Sequence, residues 1–171
     1  MINDVAYVIN EILSITGHPP VKKALQKTVY LLEKKGIGLG FDYILHFYGP
    51  YCAELDHETA RLSADGVVGF DYSRYGHKMT VNSECLPTLE TNLSEESVRL
   101  AQEVISRYKE RTAADLELLT TAIYAYEHTD AKTQADVIEK IKIIKGKKYS
   151  DQEILWALSE FPYFNISLSL G

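Results

Sequence analysis

Residues 133–161 read TQADVIEKIKIIKGKKYSDQEILWALSEF, and their punctuation decides the fold class. Ser150-Asp151-Gln152-Glu153 is a full capping box, a hydroxyl residue followed three positions later by an acid, which satisfies backbone N–H groups left open at a helix start. Thr133 stands in the same relation to Asp136. Behind these caps, Val137/Ile141/Ile144 and Ile154/Leu158/Phe161 return at spacings of three, four and their sums, the period of one face of an α-helix. Upstream, Thr112 precedes Asp115, and Asn92 or Ser94 opens a helix whose first turn carries Glu95 and Glu96, acids that suit the positive end of the helix dipole. The stripes Val98/Ala101/Ile105/Tyr108 and Leu116/Leu119/Ile123 belong to these two starts. Residues 92–171 are therefore expected to be a helical half containing four helices.

The first half is mixed. Val5, Ile9, Ile12 and Leu13 predict an amphipathic helix from about Asn3 to Thr16, ended by Gly17-His18-Pro19-Pro20. The same prolines suit the start of a second helix with Val21, Leu25, Val29 and Leu32 as its apolar stripe. Lys22, Lys23, Lys27, Lys34 and Lys35 then read as its solvated face, and the glycines of 36–40 as a cap and turn. Phe41 to Tyr48 is aromatic and β-favouring, so a short strand is expected there, with Gly49-Pro50 turning the chain. A third helix is expected from about Tyr51 to Ala64, with Cys52, Leu55, Thr59 and Leu62 inward. Val67–Tyr72 and His77–Val81, joined by Ser73-Arg74-Tyr75-Gly76, carry a hairpin signal. The expectation is a mainly α (α+β) chain of about seven helices, with a small antiparallel β element in the N-terminal half. It forms one domain over 1–171, its α/β half covering 1–81.

Bulk composition narrows the function. At 171 residues, 46% hydrophobic and 25% charged, the chain has enough apolar material for a core without disulfides or a structural metal. Its cysteines, Cys52 and Cys85, lack the paired spacing of a zinc knuckle or redox motif and suit a reducing cytoplasm. The opening Met1-Ile2-Asn3-Asp4 carries an acid where a signal peptide carries positive charge, and no apolar run approaches the roughly 20 residues that cross a bilayer. No membrane association is expected. A net charge of −6 opposes non-specific binding to nucleic acid, which needs clustered cations against phosphate.

Motifs for catalysis and cofactors are missing. Gly36-Ile37-Gly38-Leu39-Gly40 leads from helix to strand, the reverse of a dinucleotide fingerprint, and no Lys-Ser/Thr follows it as a phosphate-binding loop requires. Among His18, His46, His57, His77 and His128, no pair falls at the spacing that puts two imidazoles on one helix face. Glu54 and Glu58 lie one turn apart, which alone does not shift a carboxylate's acidity. No catalytic residue, no cofactor-binding residue and no metal ligand is assigned, and the chain is expected not to be an enzyme. An unrecognised active site would have to gather several of His46, Tyr48, Cys52, Asp56 and His57 in one pocket.

The aromatic residues point elsewhere. Twelve tyrosines is high for this length, and Tyr43, Phe47, Tyr48 and Tyr51 crowd one turn, while Tyr72 and Tyr75 lie in the expected hairpin. Tyrosine offers large contact area at low entropic cost and is enriched at protein interfaces. The competing reading is half-buried packing.

Leu25-Gln26-Lys27 and Tyr30-Leu31-Leu32 in one helix, then Phe47-Tyr48-Gly49-Pro50-Tyr51 and a helix carrying Glu54-Leu55, resemble the SocA-like antitoxin or Panacea domain family. The closest likeness is to its stand-alone bacterial YwgA-type members. The match covers roughly residues 10 to 80, with Leu62 and Gly66-Val67-Val68 included. The resemblance implies a helical domain with a small sheet that acts through protein contacts, neutralising a toxin or presenting a client to a protease. Cys52 departs from the serine common at that position.

Taken together these readings expect a non-catalytic interaction module that binds another protein, a toxin or a protease client, through Tyr43, Tyr48, Gly49, Pro50, Tyr51 and Lys27, with a homodimer also compatible. The alternative is a winged-helix-like DNA-binding regulator, which would use Lys22 and Lys23 with Arg74, His77 and Lys78 in the wing. Glu54, Asp56 and Glu58 on its recognition helix would face phosphates and oppose it.

Overall fold

The computed structural model describes residues 1–73 and 77–170, and the caps read from the sequence open its helices. Asn3 caps α1 (Asp4–Thr16) by accepting from the Ala6 N–H, and Gly17 closes it in the left-handed conformation. α2 (Lys22–Lys34) follows the two prolines, with Val21 at its N-cap. Ser94 caps α4 (Glu95–Tyr108), after α3 (Ala53–Ala64). Reciprocal capping boxes open α5 (Ala113–His128) through Thr112 and Asp115, α6 (Gln134–Lys145) through Thr133 and Asp136, and α7 (Asp151–Ser159) through Ser150 and Glu153. Ser150→Ala removes the hydroxyl that accepts from the Glu153 N–H. It is expected to cost about 1 kcal/mol in a urea melt.

Among the described residues these seven α-helices are joined by two antiparallel hairpins, which makes the chain mainly helical α+β. β3 (Val68–Asp71) and β4 (Lys78–Val81) pair with Val68 opposite Val81 and Asp71 opposite Lys78. The expected connection at Arg74-Tyr75-Gly76 lies outside the described residues.

The other hairpin corrects the reading of residues 41–51. The strand is shorter than Phe41–Tyr48: β1 is Ile44–His46 and pairs with β2, Gly49–Tyr51, in the register Ile44 to Tyr51, Leu45 to Pro50 and His46 to Gly49. Phe47 and Tyr48 are therefore the two-residue turn, and Gly49-Pro50 begins the returning strand. Pro50 is tolerated because the sheet has only two strands, so its missing N–H breaks no continuing ladder. The third helix accordingly starts at Ala53, two residues after the expected Tyr51.

α5 is the axis of the packing. It contacts α2, α6, α7 and β2, while α1 packs on α3, α4 and β4. Nine residues of α5, Leu116 to Ile123 and Ala125, are buried, so the helix is enclosed on nearly all sides and the stripe Leu116/Leu119/Ile123 understated its burial. Three of those buried residues are polar: Glu117, Thr120 and Thr121. One core cluster draws on residues from Val5 to Ile166 and so spans both halves of the chain.

No helix among the described residues is long and apolar enough to cross a membrane.

Candidate functional site

A buried carboxylate in a helix core needs counter-charge, and Glu117 receives it from three directions. The Lys145 ammonium lies 2.8 Å from Oε1, Lys148 lies 2.7 Å from the same oxygen, and Lys23 meets Oε2. Burial pushes the Glu117 carboxyl up, but hydrogen bonds from Lys145, Lys148 and Lys23 outweigh it and hold the group at about 2. Lys23, from the basic run expected to solvate a helix face, and Lys145 and Lys148, far from it in sequence, thus converge on one internal acid. The reason is tertiary: α2 and the end of α6 both pack on α5, where the acid sits.

The cluster supports the β1–β2 turn. Lys145 also donates to the Phe47 carbonyl at 2.8 Å. From α2, Lys27 donates to the Pro50 carbonyl at 2.5 Å, and Gln26 both accepts from the Cys52 N–H at 2.9 Å and donates to the Cys52 carbonyl at 2.8 Å. Gln26 also reaches Asp56, which accepts from the Tyr51 hydroxyl at 2.9 Å. Lys27, expected on a solvated face, is instead 2% exposed. Burial pulls its ammonium down to about 8, with Lys145 and Lys23 adding to the effect and Glu117 opposing it. At Gly49, φ is +89° and a Cβ would lie 2.8 Å from the Thr121 Oγ1, so both the backbone conformation and the close approach to α5 require glycine.

The residues expected to contact a partner therefore separate into two groups. Gly49, Pro50 and Lys27 are buried structural parts of the clasp, and Cys52 is held inside it. Tyr43 turns inward, its ring edge-on to Tyr30 at 5.0 Å, and burial raises both phenols far above their ordinary range. Tyr51 is half-buried. Tyr48 is half exposed, its ring 4.8 Å from the Lys23 ammonium, and Phe47 beside it is 79% exposed. Ile44 is 65% exposed on the adjoining strand. Phe47 belongs to the aromatic cluster that the sequence offered as a contact surface, whereas Ile44 was missed because it falls inside the expected longer strand. These residues form an apolar tip, mounted on a fixed base and rimmed by lysines.

The residues of the DNA-binding alternative are not assembled into a basic face on α2. Lys22 pairs with Asp56 at 3.4 Å, Lys23 meets Glu117, and Lys27 is buried. His77 packs against Tyr72 at 4.6 Å, Lys78 is exposed at the start of β4, and Arg74 lies outside the described residues. On α3, Arg61 and Asn3 hydrogen-bond Glu58, and the Arg61 bond is the main reason its carboxyl sits below the usual range. Of the groups named for a hidden active site, His46, Tyr48 and Asp56 line one pocket of about 160 Å³, while Cys52 and His57 are not among its lining residues. Cys52 is buried against Gln26 and His57 is exposed. No group of three or more His, Cys, Asp or Glu side chains suited to a metal ion occurs among the described residues.

Comparison with known proteins adds two relatives. The chain is 26% identical over 151 residues to the uncharacterized protein YwgA of Bacillus subtilis, covering 84% of this chain and 86% of that protein. It is 25% identical over 137 residues to a DNA ADP-ribosyl glycohydrolase of Thermus aquaticus, covering 77% of this chain and 38% of the Thermus protein. No family model matches the chain. The Thermus likeness overturns the expectation that the chain is not an enzyme, since a relative over most of its length carries an enzyme's name. The absence of familiar motifs did not justify that expectation, because motifs report only chemistries with a fixed sequence signature.

Proposed function

We propose that the chain is a YwgA-like domain that binds a partner protein through the tip of the β1–β2 hairpin, using Phe47, Tyr48 and Ile44. The observation that carries this reading is the mounting of the tip. Large apolar side chains stand in solvent while Gln26, Lys27, Lys145 and Gly49 fix the backbone beneath them. Rigid aromatic anchors on a fixed base bind at low entropic cost, and exposed clustered aromatics mark interaction sites. The likeness to YwgA and the placing of the Leu-Gln-Lys and Tyr-Gly-Pro-Tyr residues in one clasp support grouping the chain with SocA-like antitoxin domains. On that reading, the partner is a toxin or a protease client.

The test is capture from native lysate by the tagged chain, compared with Phe47→Ser/Tyr48→Ser. Both side chains are exposed, so the variant is expected to keep its circular dichroism spectrum and melting temperature. A single protein retained by wild type and lost at least about tenfold by the variant is the expected result. Equal recovery by both forms, or recovery of nucleic acid in place of protein, would reject the reading.

The Thermus relative favours a second reading, in which the chain itself acts on ADP-ribosylated DNA. Purified chain incubated with such DNA would then release ADP-ribose above the rate of a buffer control. No release under conditions where an authentic glycohydrolase works would sink this second reading and leave the first intact.

A further inference from the structure

A second face of α2 borders a cleft that the hairpin does not use. It has a volume of about 270 Å³ and is walled by α1, α2, α4 and α5 through Ile12, Leu31, Ile105 and Leu116, all buried. Thr28 gives one wall a hydroxyl. At the mouth stand Lys109 and Arg111, both exposed, and His18 lies on the rim between α1 and α2. Among the described residues no acidic side chain lines the cleft, and neither Lys109 nor Arg111 is paired with a carboxylate. The Arg111 guanidinium lies over the Trp156 ring at 4.1 Å, which restrains it. In a chain of net charge −6, this mouth reverses the sign of the whole molecule.

An apolar slot with a few polar groups at one end is the usual form of a small-molecule site. Such sites run from about 300 to 1,000 Å³, and this one lies just below that range, so it suits a small ligand. The apolar walls select an apolar body, and the two unpaired cations select a negative head placed at the mouth. We propose that this cleft binds a small amphipathic carboxylate, its apolar body between Leu31 and Ile105 and its carboxylate at Lys109 and Arg111. This inference does not depend on the partner reading, because the hairpin and the cleft occupy different faces of α2.

The probe is octanoate, titrated into the isotope-labelled full chain and followed by backbone amide shifts. The expected result is a saturable shift at millimolar concentration, confined to residues around Thr28, Ile105 and Leu116. Octanol, with the same body and no charge, is expected to bind at least about tenfold more weakly. Lys109→Glu/Arg111→Glu alters only exposed groups and should weaken octanoate by at least the same factor while leaving octanol unchanged. Ala24→Phe, which puts a ring into the slot from the half-buried side of α2, should abolish both. Absence of a saturable shift, equal affinity for octanol and octanoate, or unchanged binding in the folded Ala24→Phe chain would each overturn the proposal.

Discussion

Glu117→Gln is expected to lower the unfolding free energy by about 3 to 5 kcal/mol at neutral pH, the range found when one member of a buried ion pair is removed. Glutamine keeps the volume and removes the charge. Lys145, whose side chain is 4% exposed, would then stand inside the protein without a counter-ion, as would the neighbouring buried Lys27. The turn carbonyl of Phe47, held by Lys145, loses its anchor with them.

The acid limb gives the same prediction a second readout. The Glu117 carboxyl sits at about 2 in the folded chain, below the ordinary glutamate value of 4.5. A depressed folded value means that the unfolded chain binds the proton first. The stabilisation is therefore complete above about 4.5 and is lost as the pH falls through about 2. Urea melts at pH 7 and pH 3 should show a steeper loss for wild type than for Glu117→Gln. A variant within about 1 kcal/mol of wild type at pH 7, well below the cost of breaking a buried pair, would show that the lysines do not depend on this acid.

Gly49→Ala is expected to cost about 2 to 4 kcal/mol, from two sources that a double substitution separates. The first is the positive φ of +89°, which an L side chain rarely adopts. The second is the 2.8 Å approach of the new methyl to the Thr121 Oγ1. Thr121 is buried and its hydroxyl has no hydrogen-bond partner among the described residues, so Thr121→Ala removes the obstacle without breaking a bond. In Gly49→Ala/Thr121→Ala the steric part should be recovered and the conformational part should remain, giving a clear non-additivity in equilibrium unfolding. A single Gly49→Ala chain as stable as wild type would mean that β2 does not approach α5 as described.

These two positions also show how far the sequence could be read. The helix starts at Thr112, Thr133 and Ser150 were legible because a capping box is local: the hydroxyl, the acid and the N–H groups they satisfy lie within four residues. The hairpin at Val68–Val81 was legible for a similar reason, its two halves flanking a short polar link. The β1–β2 hairpin was not, because Gly-Pro signals a change of direction without saying on which side the turn falls. Gly49 leaves the turn with positive φ, and the turn itself falls on two aromatics, Phe47 and Tyr48, which carry no turn signal.

The site was half legible. Gln26, Lys27, Tyr48, Gly49 and Pro50 were singled out, and the structure brings them together, but most as parts of the clasp that presents the tip. Lys27 read as solvated because burial of a lysine is decided by acceptors distant in sequence, here the Pro50 carbonyl and the field of Glu117. Glu117 carries a local signal: set among Leu116, Leu118 and Leu119, it is the single charged residue between Asp115 and Glu127. A lone charge in such a run either breaks the helix or has partners inside the protein. It has three.

Position-specific photo-crosslinking in native cells decides whether partner contact occurs at the hairpin tip. A photoreactive phenylalanine analogue replaces Phe47 or Tyr48 in one pair of strains. In a control pair it replaces Ile143 or Leu155, which are equally apolar and exposed but lie on α6 and α7. One discrete protein adduct is expected from positions 47 and 48 and none from 143 and 155. Adducts from the α6 or α7 positions with none from the tip, or no adduct at any of the four, would contradict it.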